Sequence, residues 1–176
     1  NKIFKIKFKN KKLKNKIIDD EHRRYKLFKR QLKNKKILDF GSGYGEFLKK
    51  FSYKNVAAVE KRNKCISYLR KSKIKVFEDI NLINQKFDFI TFFNSLDHLE
   101  YPDLVLKKMR KFLKKNGKLI IEVPNANNIL FLSSLKEYKE LSFCRKHLII
   151  FSEKVLKEFL NYTGFKVKKI IYSQRY

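Results

Sequence analysis

Chemistry-bearing residues gather first in Asp39-Phe40-Gly41-Ser42-Gly43-Tyr44-Gly45-Glu46. An apolar run from Ile37 stops at an acid, and three glycines follow on alternate positions. A helix-like pattern then resumes at Phe47. Glycine takes φ > 0 readily and lets a ligand lie against the backbone. N–H groups freed at a helix start attract electron-rich ligand groups. The stretch therefore reads as a buried strand, a tight turn and a helix start that hold a nucleotide-like ligand. A dinucleotide fingerprint has the form G-x-G-x-x-G and receives a pyrophosphate. Here the form is G-x-G-x-G, and Glu46 follows the last glycine. Asp39 would repel a pyrophosphate but suits a ligand with a cationic end. A structural glycine turn in some other α/β protein is the alternative. A second acid supports the ligand: Glu60 ends the apolar run Asn55–Val59, about 20 residues beyond the turn, where a βαβ nucleotide site places a ribose-binding carboxylate. The plainer reading of Glu60 is an exposed acid before a helix.

The elements that would position these residues follow from periodicity. Phe4, Ile6 and Phe8 alternate with lysine, so residues 1–18 read as a basic arm or a short edge strand. Asp19-Asp20-Glu21 open a helix whose stripe is Tyr25, Phe28 and Leu32. Strands are expected at Lys36–Phe40, Asn55–Glu60, Ile74–Phe77, Phe87–Phe93 and Lys118–Val123. Helices are expected after the glycine turn (Phe47, Leu48, Phe51), through Cys65, Ile66 and Leu69, and from Pro102 through Met109 to the stop at Gly117. Ser152 caps a last helix, Gly164 closes it, and Phe165–Tyr172 reads as a strand. The near-continuous apolar run Phe87–Phe93 suits a parallel strand covered on both faces.

Composition sets the class. A chain of 176 residues makes one domain with a real core. No apolar run reaches the length of a membrane span, and no signal-peptide pattern is present. Cys65 and Cys144 lie far apart and have no metal-ligand spacing, as in reduced thiols of a cytoplasmic protein. The net charge of +27, from 44 Lys+Arg against 17 Asp+Glu, raises nucleic acid as a partner. The basic residues are mostly lysine and spread along the chain, whereas nucleic-acid sites lean on arginine. The abundance of Lys, Asn, Ile, Phe and Tyr fits an AT-rich coding bias, so nucleic acid is not favoured.

The acid–x–Gly–x–Gly–x–Gly turn resembles the first motif of class I S-adenosylmethionine-dependent methyltransferases. Later segments resemble the same family in the same order, over about residues 20–176. Asn94-Ser95-Leu96-Asp97-His98 with Pro102 is similar to the fourth motif of a subgroup that includes quinone and sugar methyltransferases, with Asp97 where that subgroup usually has Glu. "LKKNGKLIIEVPN" and "KHLIIFS…LKEFLNYTGFKV" are similar to its closing segments. The resemblance implies a doubly wound, mostly parallel α/β sheet, Rossmann-like and three-layered, over residues 19–176. It implies a substrate lid over residues 125–147 and a final strand beyond the residues present. Its cofactor is S-adenosyl-L-methionine, with Asp39 and the Gly41, Gly43 and Gly45 backbone on the methionine end. Glu60 goes to the ribose, Asp79 and Ile80 to the adenine, and Asn94 to the cofactor edge. Tyr25 either covers the cofactor or packs in the core.

His98 is then the candidate base, at the edge of the sheet where ligands bind in open α/β folds. It reads alternatively as a cap, or as part of a metal site with Asp97 and another acid. His147 either reaches the substrate or pins the lid. The expected activity is methyl transfer to a small-molecule acceptor, a sugar or glycan precursor or a quinone-like hydroxyl or carbon, without a resident metal. An RNA methyltransferase and a degenerate cofactor-binding domain are the alternatives. The Asn/Asp-Pro-Pro-aromatic tetrapeptide of base-amine methyltransferases is absent, since Asn94-Ser95-Leu96-Asp97 stands there.

Overall fold

The computed structural model describes residues 11–127 and 148–173. The described residues fall into two compact units that divide between Ile83 and Asn84. In the first unit, α1 spans Lys11–Leu32, β1 Ile37–Phe40, β2 Val56–Val59, α2 Asn63–Lys71 and β3 Lys75–Phe77. Every residue of β1 and β2 is buried, as expected of parallel strands covered on both faces. The strands pair in parallel, with Phe40 opposite Val59 and Val59 opposite Phe77. Their C-terminal ends are therefore level. The glycine turn, Glu60 and the Glu78-Asp79 segment all leave from one edge.

Two expectations for this unit are corrected. Residues 11–18, read as part of a basic arm or edge strand, are the opening turns of α1, so the helix does not begin at Asp19. The acids sit inside the helix and pair one turn along instead of capping it. Asp20 meets Arg23 at 3.3 Å, and Glu21 meets the buried Arg24. The helix expected after the glycine turn is a single 3-10 turn, Leu48–Lys50, followed by another at Tyr53–Asn55. The stretch between Gly45 and β2 is too short for an α-helix plus its return. It still buries Phe47 and Leu48. Tyr25 packs edge-on against Phe51, with ring centroids 5.5 Å apart.

The second unit contains β4 Phe87–Phe93, α3 Pro102–Lys111, β5 Leu113–Glu122 and α4 Glu153–Tyr162. Strand β5 starts earlier than expected. Leu113 pairs with Phe87, the chain bulges through Gly117, and regular parallel pairing resumes at Lys118 opposite Phe89. A Cβ at Gly117 would lie 3.0 Å from the Phe87 carbonyl, so the bulge needs glycine. Helix α4 is as expected: Ser152 Oγ accepts from the Val155 N–H at 3.3 Å, and Gly164 ends it at φ +86°. The strand expected at Phe165–Tyr172 is not present; these residues form no ladder. A strand exists only through a partner, and none of the described strands pairs with this segment. The sheet order is β3-β2-β1-β4-β5, with parallel pairing in both units. This is the doubly wound, Rossmann-like arrangement.

Candidate active site

At the first unit's edge, Asp39 is buried at the end of β1, opposite Ala58. The glycines after it are all left-handed, at φ +71° for Gly41, +60° for Gly43 and +68° for Gly45. A side chain in that region is strained by about 1–3 kcal/mol. Gly45 has a packing reason as well: a Cβ there would lie 2.4 Å from Leu69 Cδ2, on α2. At Gly43 a Cβ would meet only Arg62 Nη2, at 3.5 Å. The half-buried backbone at Gly43 therefore has no internal packing reason to lack a side chain.

Glu60 joins this turn to the tip of β2. It is 5% exposed. Its Oε2 accepts the Gly43 N–H and Arg62 Nη2, each at 2.9 Å. Its Oε1 accepts the N–H groups of Lys61 and Arg62 and Arg62 Nε, each at 3.0 Å. Burial pushes the Glu60 carboxyl up, but the Arg62 fork and the backbone N–H groups outweigh it and hold it below its ordinary value. The same fork raises Arg62. Tyr44, within the turn, packs edge-on against Tyr68 with centroids 5.2 Å apart. Burial raises the Tyr44 phenol and also the Cys65 thiol beside it, which share a side-chain hydrogen bond.

Asp79 is exposed at the end of β3 and caps a 3-10 turn, accepting the Asn81 N–H at 2.6 Å. Ile80 is half-buried beside it. The expected site residues Asp39, Gly41, Gly43, Gly45, Glu60, Asp79 and Ile80 thus all leave the C-terminal ends of β1, β2 and β3.

In the second unit, Asn94 follows β4 at φ +49°, and its N–H donates to the Glu122 carbonyl at 2.9 Å. Asparagine tolerates that left-handed position better than most residues. A 3-10 turn, Leu96–His98, comes next. Asp97 is fully buried, and His98 keeps 34% of its side chain exposed. His98 Nε2 lies 3.8 Å from Asp97 Oδ2, too far for a hydrogen bond. The Asp97 carbonyl accepts the N–H groups of Leu148 and Ile149 at 2.8 and 3.2 Å. The Ala126 N–H donates to the Phe151 carbonyl at 2.9 Å, and Asn125 bridges Phe151 in parallel. Three segments far apart in sequence are thereby stitched together through their backbones. His147 and most of the expected lid lie outside the described residues. Among the described residues no group of three or more His, Cys, Asp and Glu side chains could hold a metal ion. No described helix is long and apolar enough to cross a membrane.

Sequence reasoning overlooked Arg62 and Tyr44. The signal for Arg62 was present, since an arginine two residues after a strand-end acid is within reach of a bidentate contact. Tyr44 gave none: an aromatic inside a glycine turn says nothing of which neighbours it will meet.

Residues 10–170 match the family described as "Methyltransferase domain". An uncharacterized protein of Methanocaldococcus jannaschii is 29% identical over 141 residues, 78% of this chain and 68% of that protein. Among solved structures, magnesium protoporphyrin IX methyltransferase from Synechocystis, with bound SAH, has a TM-score of 0.71 at 14% identity, over 94% of this chain and 83% of that one. A SAM-dependent methyltransferase from Archaeoglobus fulgidus has a TM-score of 0.66 at 23% identity, over 93% and 73% of the two chains. With the strand order, the left-handed glycine turn and a match spanning most of its length, this chain belongs to the class I S-adenosylmethionine-dependent methyltransferases.

Proposed function

We propose that the chain transfers the methyl group of S-adenosylmethionine to a small-molecule acceptor, such as a sugar or glycan precursor or a quinone-like hydroxyl or carbon. The observation that carries the cofactor half is the joining of Gly43 to Glu60: a side-chain-free, left-handed backbone position tied at 2.9 Å to a buried carboxylate. The donor set fits the cofactor. Asp39 gives a buried acid for its cationic methionine end, the glycine turn lets the ligand lie on the backbone, and Glu60 gives acceptors for a ribose diol. Asp79 and Ile80 supply a polar and an apolar contact for the adenine, and Asn94, after β4, is a further proposed contact.

When bound, the cofactor would supply an electrophilic methyl carbon on a sulfonium sulfur, with a neutral thioether as the leaving group once an acceptor lone pair takes that carbon. The protein's main contribution is to hold the two reactants in line. His98 is the proposed base, taking the acceptor's proton on its exposed ring. His147 is the second candidate for contact with the acceptor. The net charge of +27 is what favours an RNA acceptor instead.

Calorimetry with S-adenosylmethionine, followed by a methyl-transfer screen on nucleotide sugars, quinones and RNA, tests this reading. Wild type should bind the cofactor, and Gly43→Asp should bind at least tenfold more weakly, because a like charge then faces Glu60 and a side chain fills the turn. Equal binding by the two proteins would remove the basis of the assignment. Transfer to RNA alone would replace the small-molecule acceptor, and binding without any transfer would indicate a degenerate domain.

A further inference from the structure

Glu60 carries more hydrogen bonds than a carboxylate has room to add to. Two oxygens offer about four lone-pair sites, and five protein donors already converge on them. Three of the donors are backbone N–H groups, of Gly43, Lys61 and Arg62, fixed by the glycine turn and the approach to α2. The other two are Arg62 Nε on Oε1 at 3.0 Å and Arg62 Nη2 on Oε2 at 2.9 Å. The guanidinium therefore takes one place on each oxygen, which is the demand of a ribose cis-diol donating one hydroxyl to each. Arg62 Nη2 also lies 3.5 Å from the position a Cβ would take at Gly43, so it covers the backbone that the ligand would approach. Unlike the carboxylate, the Arg62 side chain is 55% exposed and has solvent to move into.

We propose that Arg62 is a built-in stand-in for the ribose diol: it holds Glu60 ready, and the adenosyl ligand displaces its fork one hydrogen bond for one. This rests on the cofactor reading above. The exchange keeps the buried carboxylate fully hydrogen-bonded throughout, which avoids leaving a desolvated charge without donors. It also makes affinity a competition between an arginine fork and a pair of hydroxyls.

The test is calorimetry with adenosine and with 2′,3′-dideoxyadenosine on wild type, Arg62→Ala and Arg62→Lys, with thermal melts to verify folding. Removing the competitor should tighten adenosine binding by roughly three- to tenfold in Arg62→Ala, the range for a partly exposed charged hydrogen-bond pair. Dideoxyadenosine, which cannot donate to Glu60, should bind all three proteins alike. Arg62→Lys keeps the charge but loses the fork, and should fall between wild type and Arg62→Ala. Weaker adenosine binding in Arg62→Ala, or an equal gain for both nucleosides, would overturn the proposal while leaving the cofactor reading intact. If none of the three proteins binds adenosine, the cofactor reading fails and the proposal fails with it.

Discussion

The two units build their strand-end edges in different ways. In the first, side chains do the work. Glu60 reaches back to the Gly43 N–H, Arg62 forks onto Glu60, Asp79 caps its own turn, and Tyr44 meets Cys65 and Tyr68. These partners lie close in sequence, mostly within one βαβ segment. In the second, the backbone does the work. The Asp97 carbonyl holds Leu148 and Ile149, and Phe151 holds Asn125 and Ala126. The His98 side chain there keeps about a third of its surface exposed. A site that always meets the same cofactor can be tied down by short-range side-chain contacts. On the reading proposed above the second edge receives the acceptor, and a frame of main-chain bonds there leaves the side chains to be replaced.

That contrast can be broken most forcefully at Gly45. Gly45→Val adds a Cβ 2.4 Å from Leu69 Cδ2 at a φ of +68°. Strain and overpacking together should remove at least about 3 kcal/mol of stability. Denaturant unfolding should then show a protein largely unfolded under conditions where wild type is folded. A near-native midpoint would mean that the first unit tolerates its turn loosely.

At the second edge the expected loss is in rate. His98→Ala should lower methyl transfer roughly 100-fold, the usual contribution of a positioned base. Cofactor affinity should hardly change, because the ring lies in the second unit and the Gly43–Glu60 contact in the first. Unchanged turnover with a saturating acceptor would dismiss His98 as the base.

The smallest effect concerns pH. Glu60 is held below its ordinary value when folded, so its stabilisation is fully present above the ordinary glutamate range and is lost as pH falls through the folded value. Glu60→Gln should therefore be less stable than wild type near neutrality, and the gap should close on acidification. Urea unfolding across pH 7 to about 3 reads the difference. A gap independent of pH would mean that the carboxylate's charge contributes nothing. The same substitution should weaken cofactor binding about tenfold, since a neutral acceptor makes hydrogen bonds roughly half as strong.

Particular residues show why some features were legible in the sequence. Phe87–Phe93 suited a buried parallel strand because its apolar residues fall on both faces, and all of it but Asp88 is buried. Ser152 and Gly164 marked the ends of α4 because their roles depend on neighbours three or four residues away. The start of α1 was misread because acids that look like caps are equally at home pairing with Arg23 and Arg24 one turn on. The helix after Gly45 was misread because its apolar spacing holds equally for a shorter 3-10 turn. The C-terminal segment alternates like a strand, yet pairing is a property of its neighbours and not of its own residues.

The sequence by itself determined the order of the five strands, the acid–glycine turn, the acid about 20 residues beyond it, and hence the family. Each of these is a matter of residue type and spacing along one chain. Only the tertiary structure decided that the N–H of Gly43 and the fork of Arg62 share the carboxylate of Glu60, and that Asp97 fastens Leu148 and Ile149. Those depend on which strand ends lie level in the sheet. Parallel register of β1 and β2 brings residues 43 and 60 together in the first unit, and in the second the chain after β4 meets the chain before α4 at the Asp97 carbonyl; no local pattern encodes the hydrogen bonds that then close.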